Sequence, residues 1–299
     1  SAVAFIRVPG VEKSLKIYIF TATDGDYQVR GLVEGDGSAI YSVDYVDLNG
    51  AGSKELVVNW QGNTGVYQLG AYTLDELEPV EDTARVLSRY CDGIMIRTFH
   101  QEEVESLASH SHIPVINGLT DFCHPCQVLA DLMTIRERRG TLAGQKLCFV
   151  GDGSSMANSL IVGGLLAGMS VTCVCPRDYR PAADVVMFAH KYGEKFHLTT
   201  DPAEGVKDAD VVVTAVWNTA RPGTQDSEQR LRDFAGYQLT SSLLAAAKPD
   251  HMVLHCLPAH RGEEISTAVF EGHADEIFDE AENRLHVQKA VLAILLGGK

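Results

Sequence analysis

Lys146-Leu147-Cys148-Phe149-Val150-Gly151-Asp152-Gly153-Ser154-Ser155-Met156 is the stretch that decides the fold. Its first five residues suit a buried strand and meet a glycine turn. Asn158 to Ala167 then patterns as a helix, and Val171 to Cys175 is a second buried-strand run. Outward from this unit the alternation continues. Helical stretches at Val80 to Tyr90 and Gln127 to Arg139 stand between strand runs at Gly93 to Ile96 and Pro114 to Val115, and further runs follow at Asp210 to Thr214 and Met252 to His255. Strand and helix in turn predict an α/β fold, a doubly wound parallel sheet with helices on both faces. The turn Gly151-Asp152-Gly153 also opens a dinucleotide fingerprint, but Met156 stands where its third glycine belongs, so that reading is set aside.

Residues 1–77 read differently. Leu15 to Phe20, Tyr27 to Arg30, Ala39 to Val43 and Glu55 to Trp60 are short strand candidates separated by Gly, Asp and Asn, which predicts a small antiparallel β segment. Within it, Asp47-Leu48-Asn49-Gly50-Ala51-Gly52-Ser53-Lys54-Glu55-Leu56 faintly resembles the loop of a single calcium-binding propeller repeat. Ala51 occupies the place of an expected acid, so a hairpin turn at Asn49-Gly50 that binds calcium weakly or not at all is the preferred reading.

At 299 residues the chain exceeds the roughly 100–200 residues of one domain, so two domains are the starting expectation. A net charge of −15 argues against nucleic acid, because phosphate backbones require clustered Lys and Arg. No apolar run reaches the roughly 18–20 residues of a membrane span. The seven scattered cysteines, with no signal segment at the start, point to a reducing cytoplasm. Cys123-x-x-Cys126 and Cys173-x-Cys175 suggest zinc at first sight, but no second close pair completes a four-ligand set, so no metal and no cofactor is expected.

Three polar clusters remain. His255-Cys256-Leu257-Pro258-Ala259-His260-Arg261-Gly262-Glu263-Glu264 places a thiol directly after a strand, where it can face a substrate; His124-Pro125-Cys126-Gln127 opens a helix; Asp279-Glu280-Ala281-Glu282-Asn283-Arg284 lies near the C-terminus. With Glu81 to Tyr90, Ile94 to Thr98, Gly151-Asp152-Gly153 and Asn158-Ser159-Leu160, these clusters resemble the ornithine carbamoyltransferases over about residues 78–298.

The resemblance implies carbamoyl transfer from carbamoyl phosphate to ornithine, giving citrulline and phosphate. It implies Arg97, His124, Gln127, Cys256 and Arg284 as the catalytic group, and Asn158, Leu257 and Thr219 as substrate-binding residues. It also implies a homotrimer, in the cytoplasm or, for a processed chain, the mitochondrial matrix. The domains expected from it are 78–140, the remainder of a carbamoyl-phosphate domain that 1–77 precedes, and 141–299, an amino-acid domain whose last helix returns to the first. Their boundary falls near Gly140-Thr141-Leu142-Ala143-Gly144.

Two departures from the family pattern bear on activity. The Ser-Thr-Arg-Thr-like run that cradles phosphate at a helix start has no match in the sequence, and Ala215 stands where the family carries an acidic residue gripping the amino acid. Impaired activity is expected, with a non-catalytic protein of the same fold used for binding or assembly as the alternative.

Overall fold

In the computed structural model of this chain the described residues are the strand backbones Ala2–Arg7, Leu15–Thr23, Asp26–Gly35, Ala39–Val46, Glu55–Gln61 and Tyr67–Tyr72 (β1 to β6), followed by residues 80–218 and 225–297. The chain divides into two compact units, one of Ser1–Tyr90 with His110–His112, the other of Cys91–Ser109 with Ile113–Lys299.

In the first unit, β1-β2-β3 and β4-β5-β6 are two three-stranded sheets, and every pairing in them is antiparallel. Four of these strands coincide with the runs expected from sequence; β1 and β6 were not foreseen. The helix α1 (Val80–Leu87) follows. The calcium-like loop before Glu55 lies outside the described residues.

The second unit begins with β7 (Ile94–Arg97), α2 (Gln101–His110) and β8 (Val115–Leu119). The two strands pair in parallel, with a bulge between Ile96 and Arg97. Gly118 sits opposite this bulge, where an added Cβ would come within 2.9 Å of Met95 Sδ and 3.1 Å of the Ile96 carbonyl oxygen. The helix α3 (Pro125–Arg139) then starts on a proline, which has no N–H to leave unpaired, and stops at Gly140 in the left-handed region at φ 76°.

A five-stranded parallel sheet follows, built from β9 (Lys146–Val150), β10 (Ser170–Val174), β11 (Phe196–Thr199), β12 (Val211–Thr214) and β13 (Met252–His255). Its order is β11-β10-β9-β12-β13, so the winding reverses between β9 and β12. Successive side chains of a strand point to opposite faces, and here both faces are covered. Leu147, Phe149, Val211 and Val213 pack with Leu160, Ile161 and Leu165 of α4 (Ser155–Leu166), while Cys148, Val150, Val212 and Val253 pack with Leu239, Leu244, Val269 and Phe270 on the other side. That is why these strands read as continuous apolar runs.

Short helices connect the strands: α5 (Ala183–His190), α6 (Pro202–Val206), α7 (Gln225–Asp233), α8 (Ser241–Leu244) and α9 (Thr267–Gly272). The long α10 (Ala274–Leu296) packs against α3 and along β13. As an edge strand, β13 leaves alternate N–H groups without a sheet partner. Carboxylates one helical turn apart on α10 meet them: Glu276 Oε2 accepts from the Val253 N–H and Glu280 Oε2 from the His255 N–H, each at 2.8 Å. Among the described residues no helix is long and apolar enough to cross a membrane.

Candidate active site

Arg97 closes β7 and is exposed, and Arg284 stands one turn beyond Glu280 on α10. Both line one cavity of about 320 Å³, which Ile116, Gly118, Cys126 and Gln288 also face. The Arg284 Nε is buried and has no hydrogen-bond partner among the described residues. Two guanidiniums on one cavity in an acidic protein mark it for an anion.

His124 is the residue before α3. Its backbone N–H donates to Ser159 Oγ at 2.8 Å, its side chain is buried, and its Nδ1 lacks a partner among the described residues. Burial, and then the positive charges of Arg284 and Arg97, lower its pKa from 6.5 to about 4. The ring is therefore neutral at pH 7 and can give one hydrogen bond without bringing a third positive charge.

Gln127, fully buried, spends both amide hydrogens: Nε2 donates to Asp131 Oδ1 and to Glu280 Oε1, each at 2.8 Å. Its Oε1 has no partner among the described residues. Burial, and then the adjacent Asp131 charge, hold the Glu280 carboxyl well above the usual carboxylate range.

Cys256 follows β13 and is half-buried. Burial pushes its thiol up, and the charges of Glu280 and Asp131 push it further, so it is a neutral thiol and a poor nucleophile. His255 beside it is fixed from both sides. Its Nδ1 accepts the Leu257 N–H at 2.9 Å, which leaves the ring proton on Nε2, 2.9 Å from Glu264 Oε1. Leu257 itself adopts φ 52°, a left-handed conformation that side chains other than glycine seldom take.

Of the five residues expected to be catalytic, two line the cavity and the other three are linked to them indirectly. Arg97 and Arg284 share a cavity and both act on His124, and Glu280 ties Gln127 to the strand that carries Cys256. Asn158 is placed elsewhere. It lines a separate cleft of about 390 Å³ with Ser154 and Arg180, its amide donating to the Phe122 carbonyl at 2.8 Å and its oxygen accepting from the Ala182 N–H at 3.0 Å. Thr219 lies outside the described residues.

Residues that the sequence reading did not single out hold this arrangement together. Asp131, Glu264 and Glu280 are fully buried acids, legible only as members of charged helical or loop runs. The sequence signal for Glu280 was its spacing, four residues after Glu276 and four before Arg284 on one helix. At the reversal between β9 and β12, Arg230 Nη1 reaches Asp152 Oδ2 at 2.7 Å and the Trp217 carbonyl at 2.6 Å, and Trp217 stacks on Phe234 at 4.7 Å. Ala215 is buried at this same strand end.

For a metal, His260, Glu263 and Glu264 offer ligand atoms within 4.8 Å of one another. Glu264 Oε1, however, already accepts from His255 Nε2 and from the His260 N–H. All seven cysteines are free thiols.

Comparison with known proteins bears directly on this geometry. Residues 52–137 match the family model of the aspartate/ornithine carbamoyltransferase carbamoyl-P binding domain, and residues 143–295 match that of the Asp/Orn binding domain. The first match begins inside the 1–77 segment. The ornithine carbamoyltransferase of Pelobacter propionicus is 50% identical over 247 residues, 79% of this chain and 80% of that protein. That of Geobacter metallireducens is 52% identical over 244 residues, 78% of this chain and 80% of that protein. Among solved structures, ornithine carbamoyltransferase from Pyrococcus furiosus superposes with a TM-score of 0.71 at 46% identity, covering 75% of this chain and 72% of that one. The enzyme from Gloeobacter violaceus gives 0.68 at 49% identity, covering 74% and 76%.

Proposed function

This chain belongs to the aspartate/ornithine carbamoyltransferase family, and from that premise we propose that it transfers the carbamoyl group of carbamoyl phosphate to ornithine at the cavity between Arg97 and Arg284. The observation that carries the proposal is that Arg97 and Arg284 line one cavity in an acidic protein, with the charges of both felt at the buried His124.

The reaction joins an uncharged amine to the carbamoyl carbon and breaks the bond from that carbon to the phosphate oxygen, and the proton that the amine gives up leaves on the phosphate. Negative charge grows on the carbonyl oxygen and on the departing phosphate, so preorganised donors and cations are what the site must supply. Arg97 and Arg284 neutralise the phosphate. The neutral imidazole of His124 donates to the carbonyl oxygen. With both its hydrogens spent, Gln127 can only accept, and the carbamoyl NH₂ is the donor that fits its free oxygen. Cys256 borders the amine as a packing group. Leu257 and Thr219 complete the amino-acid side, and Asn158, whose amide is spent on the backbone at Phe122 and Ala182, shapes the neighbouring cleft without gripping the amine.

The domain boundary belongs to the same reading. The gap between the two matched spans, 52–137 and 143–295, supports a division near Gly140, with carbamoyl phosphate on one side and the amino acid on the other. The seven free cysteines support a reducing cytoplasm, and a homotrimer is the assembly proposed from the family resemblance. Light scattering tests the assembly.

Calorimetry tests the substrate site. Carbamoyl phosphate titrated into the protein is expected to bind, and Arg97→Ala and Arg284→Ala are each expected to weaken binding by about ten- to a hundredfold, the worth of a charge-assisted hydrogen bond. Equal affinity in all three proteins would remove the site from this cavity.

A further inference from the structure

Gln127 is held by an arrangement that substrate contact does not explain. Its side-chain nitrogen is shared by two fully buried carboxyl groups, Asp131 on its own helix and Glu280 on α10, at 2.8 Å each. The other oxygen of Glu280 accepts the His255 N–H at 2.8 Å, one residue before the thiol. One side chain therefore joins α3, α10 and the end of β13.

A buried acid pair is costly to desolvate, and an apolar pair would pack these helices at least as well. What the acids supply is direction. An amide flanked only by apolar groups could turn either end outward, whereas an amide whose nitrogen faces two acceptors is locked with its oxygen opposite them. That oxygen is buried and lacks a partner among the described residues.

We propose that Glu280, with Asp131, is a positioning residue: it fixes the Gln127 amide so that its oxygen is offered to the carbamoyl nitrogen, and it ties that orientation to the strand bearing Cys256. This rests on the reading of the cavity as a carbamoyl-transfer site. Glu280 touches no substrate in this scheme, so its effect falls on the carbamoyl donor and not on the amine.

The test compares wild type, Glu280→Ala and Glu280→Gln in steady-state citrulline formation, varying each substrate in turn. Glu280→Ala is expected to raise KM for carbamoyl phosphate about tenfold or more, the size expected when a buried amide donor is left unpaired and free to turn. KM for ornithine is expected to stay within about threefold by the same scale. Glu280→Gln keeps an acceptor for the His255 N–H but turns its NH₂ toward the Gln127 nitrogen, so it restores the tie to β13 without the second acceptor and is expected to keep most of the rise in KM for carbamoyl phosphate.

A second measurement on the unmutated protein covers the case in which the alanine variant does not fold. Selective NMR labelling of glutamine should show both Gln127 amide hydrogens protected from exchange, with the side-chain carbonyl carbon shifting when carbamoyl phosphate is added. An active wild type whose Glu280→Ala variant keeps its KM values, or raises both equally, overturns this proposal alone. So do rapidly exchanging Gln127 amide hydrogens. A wild type that forms no citrulline overturns the functional reading, and this proposal with it.

Discussion

His255 and Glu264, neither with any side-chain exposure, meet at 2.9 Å between Nε2 and Oε1. The same carboxylate oxygen accepts the His260 N–H, and the far side of the imidazole takes the Leu257 N–H, so a single buried acid fixes the loop that carries Cys256 and Leu257. Glu264→Ala would leave the buried His255 Nε2–H and the partly buried His260 N–H unpaired. The expected cost is about 1.5–3 kcal/mol of stability for a hydrogen bond to a charged group, read as a fall in denaturation midpoint. An unchanged midpoint would show that the loop is held by packing alone.

The neutrality of His124 has a pH signature. Its folded pKa, lowered to about 4, lies below the ordinary 6.5, so between these values the unfolded chain binds a proton that the folded chain does not. Its contribution to stability is full above pH 6.5 and is lost as pH falls towards 4, on the order of 3 kcal/mol in all. His124→Asn should lose less stability than wild type between pH 7 and pH 4.5. Direct NMR titration of the ring near pH 6.5 would contradict the assignment.

Gly153 at the start of α4 is enclosed by backbone. An added Cβ would meet Pro181 N at 2.3 Å, the Arg180 carbonyl carbon at 2.4 Å and the Tyr179 carbonyl oxygen at 2.5 Å, none of which can turn aside as a side-chain end would. Gly153→Ala is expected to cost roughly 1–3 kcal/mol, the usual penalty for overpacking. Thermal denaturation checks this, and a wild-type midpoint would mean that the segment at 179–181 shifts freely.

Ala215 lies at the end of β12, beside the reversal of the sheet where doubly wound folds bind ligands. The family resemblance puts a carboxylate there to grip the amino acid. Ala215→Asp is therefore expected to tighten ornithine binding about ten- to a hundredfold by calorimetry, as one charge-assisted hydrogen bond would. No change would mean that the amine is held from elsewhere.

The parallel sheet was legible because its strands are buried on both faces: β9, β12 and β13 read as unbroken apolar runs, and each was anticipated nearly to the residue. By contrast β11, Phe196-His197-Leu198-Thr199, alternates apolar with polar residues where β12 and β13 run apolar, so a search for unbroken apolar runs passes over it. At the site, Arg97, His124 and Arg284 stood out through their motifs. Asp131, Glu264 and Glu280 did not, because a buried acid is recognised by its partners, and those of Glu280 lie 153 and 25 positions away. Asn158 shows the converse: its motif drew notice, yet its amide is committed to the backbone at Phe122 and Ala182.

Citrulline formation from carbamoyl phosphate and ornithine, measured in wild type, Arg97→Ala and Arg284→Ala, tests most directly whether the arginine cavity performs carbamoyl transfer. Wild type is predicted to form citrulline, and each variant to lose about 10²–10³ in rate, the usual loss when a preorganised group that stabilises transition-state charge is removed. No citrulline from wild type, or variants that keep its rate, would contradict the account.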